Sequence, residues 1–157
     1  MGIHDGHREK MRRRFLETGL EGFADHEALE LLLYYAIPQG DVNGLAHELV
    51  ERFGSLAGVL DAAEEELCRV PGVGQHTAVL LKLIPAAGAR YLQSRADLGE
   101  PVRRTEDAYA LLEPYFFGAR NEMIYLLALD GKNKPLGVRK VAEGSICAAN
   151  INLRLMF

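Results

Sequence analysis

Leu67-Cys68-Arg69-Val70-Pro71-Gly72-Val73-Gly74-Gln75-His76-Thr77-Ala78-Val79-Leu80-Leu81 decides how this chain folds. Apolar residues close one helix, a proline and two glycines turn the chain, and apolar residues resume at helical spacing. The glycines carry the chemistry. Gly72 and Gly74 permit a tight turn and, without side chains, let a phosphate approach the main chain. The amides from Gly72 to His76 then stand at a helix N-terminus, where unpaired N–H groups and the helix dipole attract an anion. Val73 is expected to point inward and staple the two helices. His76, Thr77 and Lys82 are expected to add donors, with Arg90 and Arg95 lining the same side. The plain alternative is an ordinary turn between two core helices.

The full pattern, with apolar positions on both flanks and alanine fourth in the second helix, resembles a helix-hairpin-helix. A weak internal repeat points the same way. Leu31-Leu32-Leu33-Tyr34-Tyr35-Ala36-Ile37-Pro38-Gln39-Gly40-Asp41 has the same layout, and Phe53-Gly54-Ser55-Leu56 reads as a connector between two pseudo-symmetric hairpins. The first copy lacks the second glycine and carries Asp41, so it is expected to be a structural partner. Contacts to phosphate position a protein on DNA without reading its sequence, which implies weak, sequence-independent, salt-sensitive binding.

Working outward, His7 to Glu17 reads as an amphipathic first helix with Met11, Phe15 and Leu16 on one side. Asp25 is expected to cap a helix apolar nearly all round, and Asp41 to cap the next. Ser55 caps a short turn, Ala63 to Val70 forms another helix, and a long helix runs from about Gln75 to Ser94, kinked or divided at Pro85. Asp97 to Arg104 reads as a linker. Thr105 is expected to cap a further helix, followed by a strand over Glu122 to Leu129, a turn at 130–134 and a return strand over Leu136 to Val141. Asn150 is placed at the start of a last helix.

The charge is unevenly spread. Residues 21–70 hold eleven acidic against two basic residues, while 1–20 and 71–104 carry net +2 and +3 within a chain of −4. An overall basic balance is absent, so phosphate contacts fall to local basic stretches or to backbone amides. The −9 stretch also suits a basic protein partner. No run of 18 apolar residues exists, so no membrane span is expected. No apolar segment follows the basic start, and two cysteines make neither a disulfide framework nor a zinc knuckle. A reducing, cytoplasmic address follows, with Cys68 and Cys147 as free thiols and Cys68 as a small buried hydrophobe.

At this point the chain resembles a family. His7-Arg8-Glu9-Lys10, Gly22 to Glu27, Glu51 to Leu56 and the PGVG hairpin look like the N-terminal domain of RadC-like proteins. In that family a JAB/MPN domain of JAMM type follows, and residues 101–157 look like its opening, notably Asn121 to Asp130 and Glu143-Gly144-Ser145. The resemblance implies a DNA-repair-associated protein whose helical domain binds DNA backbone. It implies, as an alternative, the N-terminal part of a zinc-dependent metallohydrolase or peptidase.

JAMM chemistry uses zinc held by a His-x-His pair and a later Asp, with an upstream glutamate as general base. Glu122 matches that glutamate by resemblance; its plain reading is a solvated strand-end carboxylate. All five histidines precede residue 77, so the family's metal ligands are expected beyond residue 157. His4 and His7 read as a solvated pair. The chain as given is therefore expected to be catalytically silent, free of zinc and truncated, since Ile151 to Phe157 starts a helix and halts. The expectation is an α+β chain: an all-α helix-hairpin-helix domain over 1–95, a linker at 96–104, and over 105–157 the incomplete start of an α/β JAB/MPN domain.

Overall fold

The hairpin pattern becomes helices α1 (Ile3–Thr18), α2 (Asp25–Ala36), α3 (Asn43–Phe53), α4 (Leu56–Asp61), α5 (Glu64–Leu67) and α6 (Gln75–Arg95) in a computed structural model. Helix α7 (Thr105–Phe116) and strands β1 (Met123–Leu129) and β2 (Pro135–Glu143) follow. The structure describes residues 3–95, 99–119 and 121–144, so Ser145, Cys147 and the helix start at Asn150 lie outside the described residues. The described chain is mostly helical with one two-stranded antiparallel sheet, an α+β composition. It forms two compact units, Met1–Ile84 and Pro85–Phe157. The division falls at the proline inside α6, ahead of the composition change near Arg95.

In the first unit α2 is the central helix, with Ala28, Leu29, Leu31, Leu33 and Tyr34 buried. Its neighbours repeat one another. Ala46 and Leu49 are the fourth and seventh residues of α3, Ala78 and Leu81 the fourth and seventh of α6, and none of the four has any exposed surface. Small alanine lets the helices approach, and leucine one turn later fills the space between them. Gly40 and Gly72 stand three residues ahead of α3 and α6 with φ of 87° and 90°, a region that favours glycine. The first turn is one residue longer, because Pro38 lies five positions before its helix and Pro71 four before its own.

The connector between the hairpins is held at both ends. At the start of α4, the Ser55 Oγ accepts from Gly58 N at 3.0 Å, and the Asp25 carboxylate of α2 accepts from Leu56 N at 2.8 Å. At its end, the Lys82 ammonium of α6 donates to Leu60 O at 2.7 Å and Ala62 O at 2.9 Å. An anion at the N-terminus and a cation at the C-terminus both complement the helix dipole.

Several local expectations shift by a residue or a face. Asp25 is the first residue of α2, and the Glu27 carboxylate takes the capping role by accepting from Ala24 N at 2.9 Å. Asp41 sits two residues ahead of α3 and accepts from Asn43 N at 2.9 Å. Thr105 is likewise the first residue of α7, where the Asp107 carboxylate accepts from Arg103 N and Arg104 N. On α1 only Met11 joins the core; Leu16, five residues on, is turned about 140° away and is 82 % exposed. Cys68 is exposed, because Leu67 and Val70 take the inward positions at helical spacing and leave it on the outer side.

In the second unit β1 and β2 pair antiparallel, with Leu126 opposite Arg139 and irregularities beside Ile124 and Ala128. Asp130 builds the turn, its Oδ1 accepting from Lys132 N and Lys134 N at 2.8 Å each. Tyr115 and Phe116 of α7 pack on Tyr125 of β1, with ring centroids 5.5 Å and 5.0 Å apart.

Candidate nucleic-acid interface

The α5–α6 turn closes through Val73 N donating to Val70 O at 3.0 Å, and Val73 is buried between the helices. A Cβ on Gly72 would meet Leu45 Cδ2 of α3 at 3.6 Å, so this turn rests on the first turn of α3. Gly74 is different. It keeps an ordinary backbone φ, it is exposed, and a Cβ there would meet nothing within 4 Å. Its carbonyl accepts from Ala78 N at 3.0 Å, the first bond of the α6 ladder, which leaves the amides ahead of Ala78 as the unpaired donors of a helix start. His76 is exposed beside them.

Two residues expected around a phosphate are placed otherwise. Thr77 is 3 % exposed, because it shares the inward face with Ala78 and Leu81. Lys82 is half-buried, and two of its three N–H bonds go to the carbonyls at the end of α4. Arg90 and Arg95 belong to the second unit.

The first hairpin is built around polar residues that a hydrophobicity pattern passes over. Arg8 of α1 is 7 % exposed, and its guanidinium donates to Pro38 O at 2.8 Å, Ile37 O at 3.1 Å and Gly40 O at 2.7 Å. It lies 4.6 Å over the Tyr34 ring. The Glu30 carboxylate, also buried, accepts from Tyr34 Oη at 2.5 Å and Asn43 Nδ2 at 2.9 Å, with His7 Nε2 3.3 Å away. Burial, and next the bond to Glu30, push the Tyr34 phenol above its ordinary range. Arg8 thus supplies partners for carbonyls of the turn just beyond α2, from outside that turn.

Beside Pro38 lies a groove lined by Gly6, Arg8, Glu9, Lys10, Arg12 and Arg13. Arg12 and Arg13 reach Glu9 and Glu17 only at 4.0 Å, and both guanidinium groups remain open to water. The run of four arginines and a lysine between residues 8 and 14 was the available signal; its reading as the polar face of an amphipathic helix hid a concave basic surface.

Glu122 is exposed just ahead of β1, and its carbonyl accepts from Gly144 N at 2.9 Å. Among the described residues no three of His, Cys, Asp and Glu are grouped so that they can hold a metal ion. His26 and His47, on different helices, stack with ring centroids 4.0 Å apart. The described residues by themselves therefore do not assemble a zinc centre. Among the described residues no helix is long and apolar enough to cross a membrane.

No solved structure matches the chain. A UPF0758 protein of Fusobacterium nucleatum subsp. nucleatum is 42 % identical over 81 residues, which cover 52 % of this chain and 35 % of that protein. The chain spans about a third of the length of that curated relative. Residues 5–79, from α1 through both helical hairpins and into the start of α6, match the family described as UPF0758 N-terminal.

Proposed function

We propose that this chain is a RadC-like protein of the UPF0758 family whose helical unit is a pair of helix-hairpin-helix elements binding DNA backbone without regard to sequence. UPF0758 is the RadC-like family, and the match over residues 5–79 supports that part of the reading. The observation that carries the binding is Gly74: exposed, unobstructed and one residue ahead of α6. There a phosphate reaches helix N-terminal amides without meeting a side chain. Gly72, Val73 and Gly74 supply the turn and amides, and His76 an exposed ring. Thr77 enters as a backbone amide, while Lys82 supports the turn from behind through α4. DNA repair is the process this reading assigns.

Gly74→Glu tests it, since the structure has room for the side chain and no left-handed φ to strain. The variant keeps its helical circular dichroism and loses affinity for duplexes of any sequence to a similar degree. Binding is read by fluorescence anisotropy between 50 and 200 mM salt. Wild-type protein that ignores duplex DNA, or a variant that binds as well as wild type, overturns the proposal.

The alternative places residues 105–157 as the N-terminal part of a JAB/MPN domain, with Glu122 as general base of a zinc metallohydrolase whose ligands come from further chain. It is supported by the resemblance of Asn121 to Asp130 to that domain's opening, with Glu122 just ahead of β1. Glu122→Gln in a longer natural chain abolishes hydrolysis while leaving bound zinc in place; full activity in that variant removes Glu122 from the mechanism.

A further inference from the structure

We propose that the groove between α1 and Pro38 is a second contact for a nucleic-acid backbone, with Lys10, Arg12 and Arg13 as its phosphate-facing cations. This rests on the DNA reading above and extends it to a surface that reading does not use. The groove lining sums to net +3, four cations against Glu9, within a unit whose 21–70 stretch carries −9. A polyanion is attracted to such a local cluster of cations.

Three features suit the groove to a polymer backbone. It is concave and open, as a strand of phosphates requires. One wall is fixed, because Arg8 is tied to three carbonyls of the first turn and holds Pro38 in place. Arg12 and Arg13 are weakly paired, at 4.0 Å from Glu9 and Glu17, with Arg12 also 5.8 Å over the Tyr35 ring, so a phosphate displaces only loose contacts. Lys10 and Arg13 are three residues apart on α1, about 4.5 Å along the axis, a spacing that lets both reach one strand.

The groove and the first site belong to the same compact unit. Gly72 rests on Leu45 in the first turn of α3, α3 follows the Gly40 turn, and that turn carries Pro38 at the groove. In this proposal a single duplex engages both sites. The second hairpin then contributes amides and the first contributes charge, recruited from α1.

Duplex binding is compared across salt for wild type, Gly74→Glu, the triple variant Lys10→Gln/Arg12→Gln/Arg13→Gln, and its charge-keeping counterpart Lys10→Arg/Arg12→Lys/Arg13→Lys. Each lost phosphate contact lowers the slope of log affinity against log salt by about 0.9, so the triple variant falls by about 2–3. The charge-keeping variant retains the wild-type slope, which separates charge from any structural effect on α1. Wild-type binding that weakens in Gly74→Glu but keeps its slope in the triple glutamine variant overturns the groove and leaves the hairpin reading intact. A wild-type chain that binds no duplex overturns both.

Discussion

Lys82 separates a structural from a ligand-binding role, and Lys82→Met is the substitution that does so. Methionine keeps the unbranched stem and removes the ammonium, so Leu60 O and Ala62 O lose their donors at 2.7 Å and 2.9 Å. A hydrogen bond to a charged group contributes about 1.5–3 kcal/mol, and the two share one ammonium, so they do not add fully. Water reaches Leu60 in part, while Ala62 is buried and its carbonyl is left without a partner. The loss comes to about 2–3 kcal/mol. With a urea slope of about 1–3 kcal/mol/M, the unfolding midpoint falls by roughly 0.7–3 M at unchanged slope. The salt dependence of duplex binding stays at its wild-type value. Stability within about 0.5 kcal/mol of wild type, together with a salt slope reduced by about 0.9, would refute the reasoning and return Lys82 to the phosphate.

Arg8→Ala leaves three carbonyls of the Ile37–Gly40 turn without their donor and removes the cation from the Tyr34 face, which costs about 2–4 kcal/mol in urea unfolding; a cost under about 0.5 kcal/mol contradicts the assigned role. The Glu27 carboxyl is held below its ordinary range first by Arg14 and next by the Ala24 N–H. Its contribution is accordingly complete above the unfolded carboxylate pKa and disappears as pH falls through the folded value. Glu27→Gln costs about 1 kcal/mol at neutral pH, a deficit that shrinks in acid, and a deficit that grows on acidification would reverse this sign. Cys68 is exposed, so a thiol reagent labels it in the native protein within the time it labels unfolded chain, and Cys68→Ser lowers the native count by one; protection of that thiol would place it back in the core.

Legibility in the sequence followed the kind of signal each residue carries. Apolar spacing and the glycine turns located α2, α3 and α6, because burial of a periodic face is a local property of the chain. Val73 and Ala78 were readable for the same reason. Arg8 and Glu30 were not, since their burial depends on acceptors and donors that the fold delivers from other helices. Lys82 was misplaced because a lysine next to an anion site and a lysine capping a helix end look identical in one dimension. Phe15 and Leu16 were grouped with Met11 on one side of α1; Phe15 does share that side but is 40 % exposed a turn further along, while Leu16 is turned away from it. Capping residues moved by one position at Asp25 and Thr105, where glutamate or aspartate at the third helical position had already met the need.

The spacing of the Arg8 contacts sets an order on the emerging chain. Its acceptors lie 29 to 32 residues downstream, and the Leu56 amide lies 31 downstream of Asp25. During synthesis α1 therefore emerges ahead of its acceptors and has no anchor until Gly40 has followed it, and α2 waits in turn for the connector. At about 5–20 residues per second each interval lasts a few seconds, long against helix formation. During that interval the Arg8 guanidinium lacks its three carbonyl acceptors and α1 is an amphipathic helix without its anchor. Arg8 is thus the residue whose late engagement ties α1 to the first turn and completes that part of the fold.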